Sequence, residues 1–167
     1  MTATEQTVRV RLALSWCHDD QHLVKPLVRK LTDALRLPAD VRVEWWQDSH
    51  MTCGEDLTPE IVARIGEADY VVAMISPAYF GRPFILEHEL PRFAGPTADR
   101  QSLPVLLSPL PGFGPDWNLH GIERQFVFTR NSRSFAEQRG VDRTHFANEL
   151  AAAIRARVLG LNGYRPL

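Results

Sequence analysis

Six residues in unbroken succession, Tyr70, Val71, Val72, Ala73, Met74 and Ile75, are apolar or nearly so, and Ser76-Pro77 ends the run. A strand wetted on one face alternates apolar with polar residues. This one does not, so it reads as a strand buried on both faces. Such a strand needs a covering layer on each side, which points to a parallel sheet sandwiched by helices. A short helix follows, with the carboxylates of Glu87 and Glu89 in its final turns. Open α/β sheets bind ligands beyond the carboxyl ends of their strands, so a carboxylate delivered there stands where chemistry can happen.

The rest of the chain keeps the same rhythm. Residues 8–16 form a first strand, with Val10, Leu12 and Leu14 alternating against Arg9, Arg11 and Ala13, and a polar loop, Cys17-His18-Asp19-Asp20, follows. Leu23, Leu27, Leu31 and Leu35 repeat every four residues, flanked by Val24 and Val28, which is a helix pattern. Pro26 inside it means that the helix starts just before that residue or is kinked in its first turns. Residues 41–46 form a second strand and 47–57 a polar loop holding Cys53 and Gly54. Thr58 as N-cap and Pro59 at the first helical position open a short helix that ends near Gly66.

Pro83 can open the helix carrying Glu87 and Glu89; Pro91 lacks an amide hydrogen and clashes with the Glu87 carbonyl, so the helix should end or bend there. Residues 103–107 and 125–129 read as fourth and fifth strands, separated by a Pro- and Gly-rich loop. A last helix spans about 144–159, with Phe146, Leu150, Ile154 and Val158 in register and Gly160 as C-cap. The alternation predicts an α/β fold: a flavodoxin-like three-layer sandwich around a five-stranded parallel sheet of order 2-1-3-4-5. No repeat or linker divides the chain, so residues 1–167 read as one domain with its core at about 8–160.

Composition removes several function classes. At 167 residues the chain buries roughly 70 % of its unfolded surface and needs no disulfide to hold a core. A net charge of -1 gives no global attraction to nucleic acid or acidic membranes. No apolar run approaches the length of a membrane span, and residues 1–7 lack the apolar stretch of a signal peptide. Cys17 and Cys53 have no metal-ligand spacing and read as free thiols, so a cytoplasmic setting is expected. There is no Gly-rich phosphate loop, and Ser76 stands where a receiver domain would need an Asp at the end of strand three.

Five segments in order resemble Toll/interleukin-1 receptor (TIR) domains. Leu12-Ala13-Leu14-Ser15-Trp16-Cys17-His18-Asp19 resembles the family's opening strand and its Ser-Tyr-Ser-His ending. Trp46-Gln47-Asp48, with Gly54 six residues after the Asp, is similar to the second strand and its long following loop. The stretch from Asp69 to Pro77 is similar to the third strand ending in Ser-Pro, and Leu103-Pro104-Val105-Leu106-Leu107 to the fourth. Phe84-Ile85-Leu86-Glu87-His88-Glu89-Leu90-Pro91 resembles the helix that carries the family glutamate just before Leu, with the Glu-Leu-Pro ending of bacterial members. The resemblance covers roughly residues 8–160.

The resemblance implies an NAD+ glycohydrolase or ADP-ribosyl cyclase acting at the nicotinamide–ribose bond, in bacterial immune signalling against phage. By residue matching, the catalytic glutamate is Glu89, and substrate contacts fall on Trp16, Cys17, His18, Trp46, Asp48, Gly54, Ser76 and Phe84. NAD+ enters as substrate, and no cofactor is implied. The implied partners are other TIR domains, joined by homotypic assembly in which a neighbour's loop completes the pocket, and an activating protein, since the chain shows no second domain to oligomerise it. Catalytic members often carry Trp four residues before the glutamate; here Ile85 stands there, with Phe84 beside it.

Plainer readings stand beside these. Glu87 and Glu89, about 200° apart around an α-helix, cannot share a face, so Glu87 reads as a solvated residue. Trp16 and Trp46 either stack on a substrate ring or fill the sheet edge. His18, Asp19 and Asp20 read as a helix cap with a solvated His rather than a metal site, and Asp48 suits a loop cap as well as a ribose contact. Ser76 has no base at a readable distance and reads as a strand end or pocket wall. Two other functions remain: a non-catalytic TIR interaction module using loop 47–57, and a nucleoside deoxyribosyltransferase-like enzyme with a nucleophilic glutamate. The loop between Trp46 and Gly54 favours TIR over the latter.

Overall fold

The computed structural model describes residues 7–46, 67–83, 85–99, 101–111, 119–122 and 126–160. Four strands, β1 (Val8–Ser15), β2 (Val41–Trp46), β3 (Tyr70–Ile75) and β4 (Gln101–Leu106), pair in parallel in the order β2-β1-β3-β4. A fifth position is marked by one parallel bridge, Phe128 to Val105, closed by Leu106 N–H to the Phe128 carbonyl at 3.0 Å and Phe128 N–H to the Pro104 carbonyl at 2.8 Å. Pro104 supplies only an acceptor to that edge, having no N–H to give. The expected five-residue strand is thus one bridged residue among the described residues, and 123–125 lie outside them.

Strand β3 sits between β1 and β4, and Val71 to Ile75 are all fully buried, as an unbroken apolar run requires. Its side chains divide by parity between two cores. Val72 and Met74 join Val10, Leu12, Leu14, Leu103 and Val105 under α1 (Gln21–Leu35) and the long C-terminal helix, whose buried residues include Phe146, Leu150 and Ile154. Val71, Ala73 and Ile75 join Ala13, Tyr79, Ile85, Leu90 and Phe93 on the other face. Two helical layers therefore cover the sheet, which is the three-layer sandwich.

Pro26 lies inside α1, five residues after its start, rather than at its beginning. Leu23, Val24, Leu27, Leu31 and Leu35 remain in the core around it, so burial of one face outweighs the missing hydrogen bond. The segment after β3 departs further from expectation. Pro77–Phe80 makes one turn, α2; a π turn spans Ile85–Glu89; and Leu90–Phe93 makes a further turn, α3. Pro91 lies within α3 and does not end the helix. Its ring would crowd the Glu87 carbonyl in a regular α-helix, and the wider turn just before it relieves that clash.

The last helix, α4 (Val141–Leu159), begins three residues earlier than the sequence pattern implied and ends on Gly160 with φ of 63°. The preceding polar stretch contains a 3-10 turn, Phe135–Glu137, closed by a capping box between Ser134 and Glu137, with Phe135 fully buried. The expected helix at 58–66 and the loop 47–57 lie outside the described residues.

The far end of α4 is tied to the entry of β2. Arg155 Nε donates to Asp40 Oδ1 at 2.9 Å, and its Nη2 pairs with Oδ2. The Arg155 hydrogen bond holds the Asp40 carboxyl below its ordinary value. A lowered carboxyl adds stability above its unfolded value and loses it as pH falls through the folded one. Asp40→Asn should therefore flatten the loss of stability below about pH 4. Urea unfolding at neutral pH and at pH 3 measures this, and an unchanged pH slope would show that the pair carries no proton linkage.

Candidate functional site at the carboxyl edge of the sheet

The ends of β1 and β3 lie side by side, because these strands pair directly, Ser15 opposite Ala73. The segment after each strand is polar, so polar groups collect at one edge. Ser76 ends β3 in extended conformation and caps α2: its Oγ accepts Tyr79 N–H at 3.0 Å, with Pro77 at the first helical position. The same Ser76 hydroxyl donates to the buried Asp20 carboxylate. Asp20 stands at the N-cap of α1 but makes no side-chain cap bond there. The capping role expected for the His18–Asp20 run is thus replaced by a link between the β1–α1 loop and β3. A carboxylate in this position prefers a hydroxyl donor that is itself buried over helix amides that water can reach.

Residues 18–20 form a 3-10 turn. His18 is exposed, and its ring lies 4.6 Å from that of Trp16, tilted by 33°. Cys17 is 1 % exposed and receives Arg82 Nε–H on its sulfur at 3.3 Å, while Arg82 Nη2 pairs with Asp19 at 2.6 Å. Arg82 thereby ties the end of β1 to the segment between α2 and the π turn, and the Cys17 hydrogen bond, then Asp19, hold its guanidinium protonated. Cys17, expected as a substrate contact, is thus buried beneath Arg82. Among the described residues no three His, Cys, Asp or Glu side chains are grouped to hold a metal.

The π turn separates its two acids. Glu87 faces water, its side chain 71 % exposed beside His88, whereas Glu89 is 5 % exposed. The phenol of Tyr79 lies on the same side: burial pushes it well above its ordinary value, and the negative charge of Glu89 pushes in the same direction. The Tyr79 hydroxyl is 2.7 Å from Ser15 Oγ, and both residues are fully buried. Ile85 is packed in the core at 3 % exposure. It belongs to the core cluster that includes Val71, Ile75 and Phe93. Ile85→Trp should therefore overpack the core and destabilise the protein by about 1–3 kcal/mol. Chemical denaturation tests this, and a variant as stable as the parent would show space behind Ile85.

The structure brings Ser76, Trp16, Cys17 and His18 to the carboxyl ends of β1 and β3, and Glu89 lies buried at the end of the π turn. Trp46 ends β2, with its side chain outside the described residues, and Asp48, Gly54 and Phe84 lie outside them altogether. Reading the sequence missed Ser15, Tyr79, Asp20 and Arg82 as site members. Tyr79 had a readable signal, three residues after the Ser-Pro cap; the partners of Asp20 and Arg82 are 56 to 65 residues away and had none. Elsewhere, a cavity of about 550 Å3 opens between α1 and β2, lined by Thr32, Leu35, Val41, Val43 and Trp45 among others. It borders none of the predicted site residues.

A parallel sheet of order β2-β1-β3-β4, covered on both faces and with Ser15, Asp20 and Ser76 buried at the carboxyl ends of β1 and β3, defines a doubly wound α/β protein. A family model described as TIR domain matches residues 13–144, and the chain belongs to the TIR domain family. No curated protein matches it. No helix among the described residues is long and apolar enough to cross a membrane.

Proposed function

We propose that this TIR domain cleaves NAD+ at the bond between nicotinamide and ribose, as a glycohydrolase or ADP-ribosyl cyclase in bacterial immune signalling, with Glu89 as its catalytic residue. The observation that carries this reading is an enclosed carboxylate, Glu89, on a turn whose other acid faces water. Nicotinamide in NAD+ is a positively charged leaving group and needs no acid. As the C–N bond breaks, its electron pair goes to nicotinamide and positive charge grows at the ribose anomeric carbon. A carboxylate in a site of low dielectric stabilises that charge more than water would. Water then captures the sugar to give ADP-ribose, or a group of the same molecule does so to give a cyclic product.

In this reading Trp16, braced by His18, offers an aromatic face at the mouth of the edge. Trp46, Asp48, Gly54 and Phe84 supply further substrate contacts, Ser76 holds the end of β3, and homotypic assembly opens and completes the pocket. The burial of Glu89 also favours a second reading, a non-catalytic interaction module, because a substrate must reach an acid that reacts. Incubating the concentrated or surface-clustered protein with NAD+ and measuring nicotinamide separates the two. Release supports the enzyme; no release at any concentration, with the protein folded and its native partner present, favours the module.

A further inference from the structure

Strand β2 is an outer strand of the sheet: β1 lies on one side of it, and among the described residues nothing pairs with the other. Val8 N–H donates to the Asp40 carbonyl at 2.9 Å, which fixes the phase of the ladder. Backbone groups alternate in direction along a strand, so those of Arg42 and Glu44 turn toward β1 and those of Val41, Val43 and Trp45 turn outward. An open row of this kind is a template for another strand. The side chains alternate as well. Val41, Val43 and Trp45 lie on the α1 face, where they line the cavity beside that helix, while Arg42 and Glu44 are exposed on the opposite face. Arg42 stands beside Arg9 of β1 in the ladder, and among the described residues neither has an acid partner.

We infer that this edge pairs with the same edge of a second copy of the chain, β2 against β2 and antiparallel, about a two-fold axis at Val43. The run Val41-Arg42-Val43-Glu44-Trp45 is its own complement in that arrangement. Val43 meets its counterpart and Val41 meets Trp45 of the partner subunit. These are hydrogen-bonded pairs, because they are the residues whose N–H and C=O groups face outward. Arg42 then falls opposite Glu44 of the partner subunit, and Glu44 opposite the partner's Arg42. Both pairs take the non-hydrogen-bonded positions, where facing side chains come closest. The partner's acid thus meets an arginine that has only another arginine beside it in its own sheet. An axis at Arg42 or at Glu44 would oppose like charges and turn the free N–H groups away from each other. The contact is isologous, so it closes on itself and joins two sheets into one. It is separate from loop 47–57 and does not depend on the role of Glu89.

Sedimentation equilibrium of the full chain should show a monomer–dimer equilibrium. Arg42→Glu and Glu44→Arg each set like charges against one another on both sides of the axis, so each should weaken the dimer by about 10-fold or more. Mixed in equal amounts, the two variants become complementary again and should form a heterodimer. Arg42→Glu combined with Glu44→Arg in one chain should restore the homodimer. Both side chains are exposed, so these changes leave the core untouched. Val43→Pro removes an N–H that the pairing uses and the ladder to β1 does not, so it should give a folded monomer. If that variant does not fold, the charge variants decide alone. A chain that stays monomeric at the concentrations used for NMR spectroscopy overturns the inference. A dimer that survives the charge reversals overturns it as well, because its contact then lies on another surface. So does a mixture of the two charge variants that forms no heterodimer.

Discussion

Glu89→Gln should abolish nicotinamide release while leaving the protein as stable as before or slightly more so. Gln keeps the shape of Glu and most of its hydrogen bonding but cannot carry negative charge toward an oxocarbenium-like centre. Removing one preorganised electrostatic group of this kind typically slows a reaction by roughly 10²–10³-fold. Glu89 is almost fully buried, so the same substitution removes the cost of keeping a charge out of water. Lost activity with retained stability is the signature of a group held for function rather than for the fold. Glu87→Gln is the internal control: its side chain faces solvent two residues away, and release should be unchanged. Release that persists in Glu89→Gln would mean that another group carries the chemistry.

Phe146→Ala should cost about 3–5 kcal/mol, a large part of the roughly 5–15 kcal/mol that holds a domain together. Phe146 is fully buried on α4. Its ring meets Phe128 edge-on at 5.1 Å and Phe135 at 5.4 Å. These three rings fasten the last helix to the bridged residue beyond β4 and to the 3-10 turn, so truncation leaves a cavity beside both Phe128 and Phe135. Urea unfolding measures the loss, and Phe146→Leu should lose less because it refills part of the space. A cost below about 1 kcal/mol would place the cluster outside the cooperative core.

Sequence alone determined the fold class and the polarity of the edge. The run from Tyr70 to Ile75 had to lie in the middle of a parallel sheet because nothing in it tolerates water, and the helices on either side carry apolar residues at helical spacing. These are local signals, readable because periodicity follows directly from backbone geometry. The segment Ser76-Pro77 likewise marked its own helix start. The motif order led to the TIR family, and the place of Glu89 two residues beyond Glu87 separated their faces whether the turn is α or π.

Tertiary structure decided which polar groups meet. Asp20 passes over the helix amides beside it for Ser76, 56 residues on, and Arg82 reaches back to Cys17 and Asp19. Ser15 meets Tyr79 only because β1 and β3 are neighbours in the sheet. Pro91 is expected to end or bend its helix; the helical chain widens into a π turn just before it and continues through Leu90 and Phe93, whose burial favours carrying the chain along the core. Whether Ile85 faces an opening or the core depends on what packs around it, and here it is buried in the cluster that holds Val71 and Ile75. A hydrogen bond between residues distant in sequence leaves no periodic trace. It exists only once the hydrophobic cores have set which strand ends lie side by side and shut water away from them.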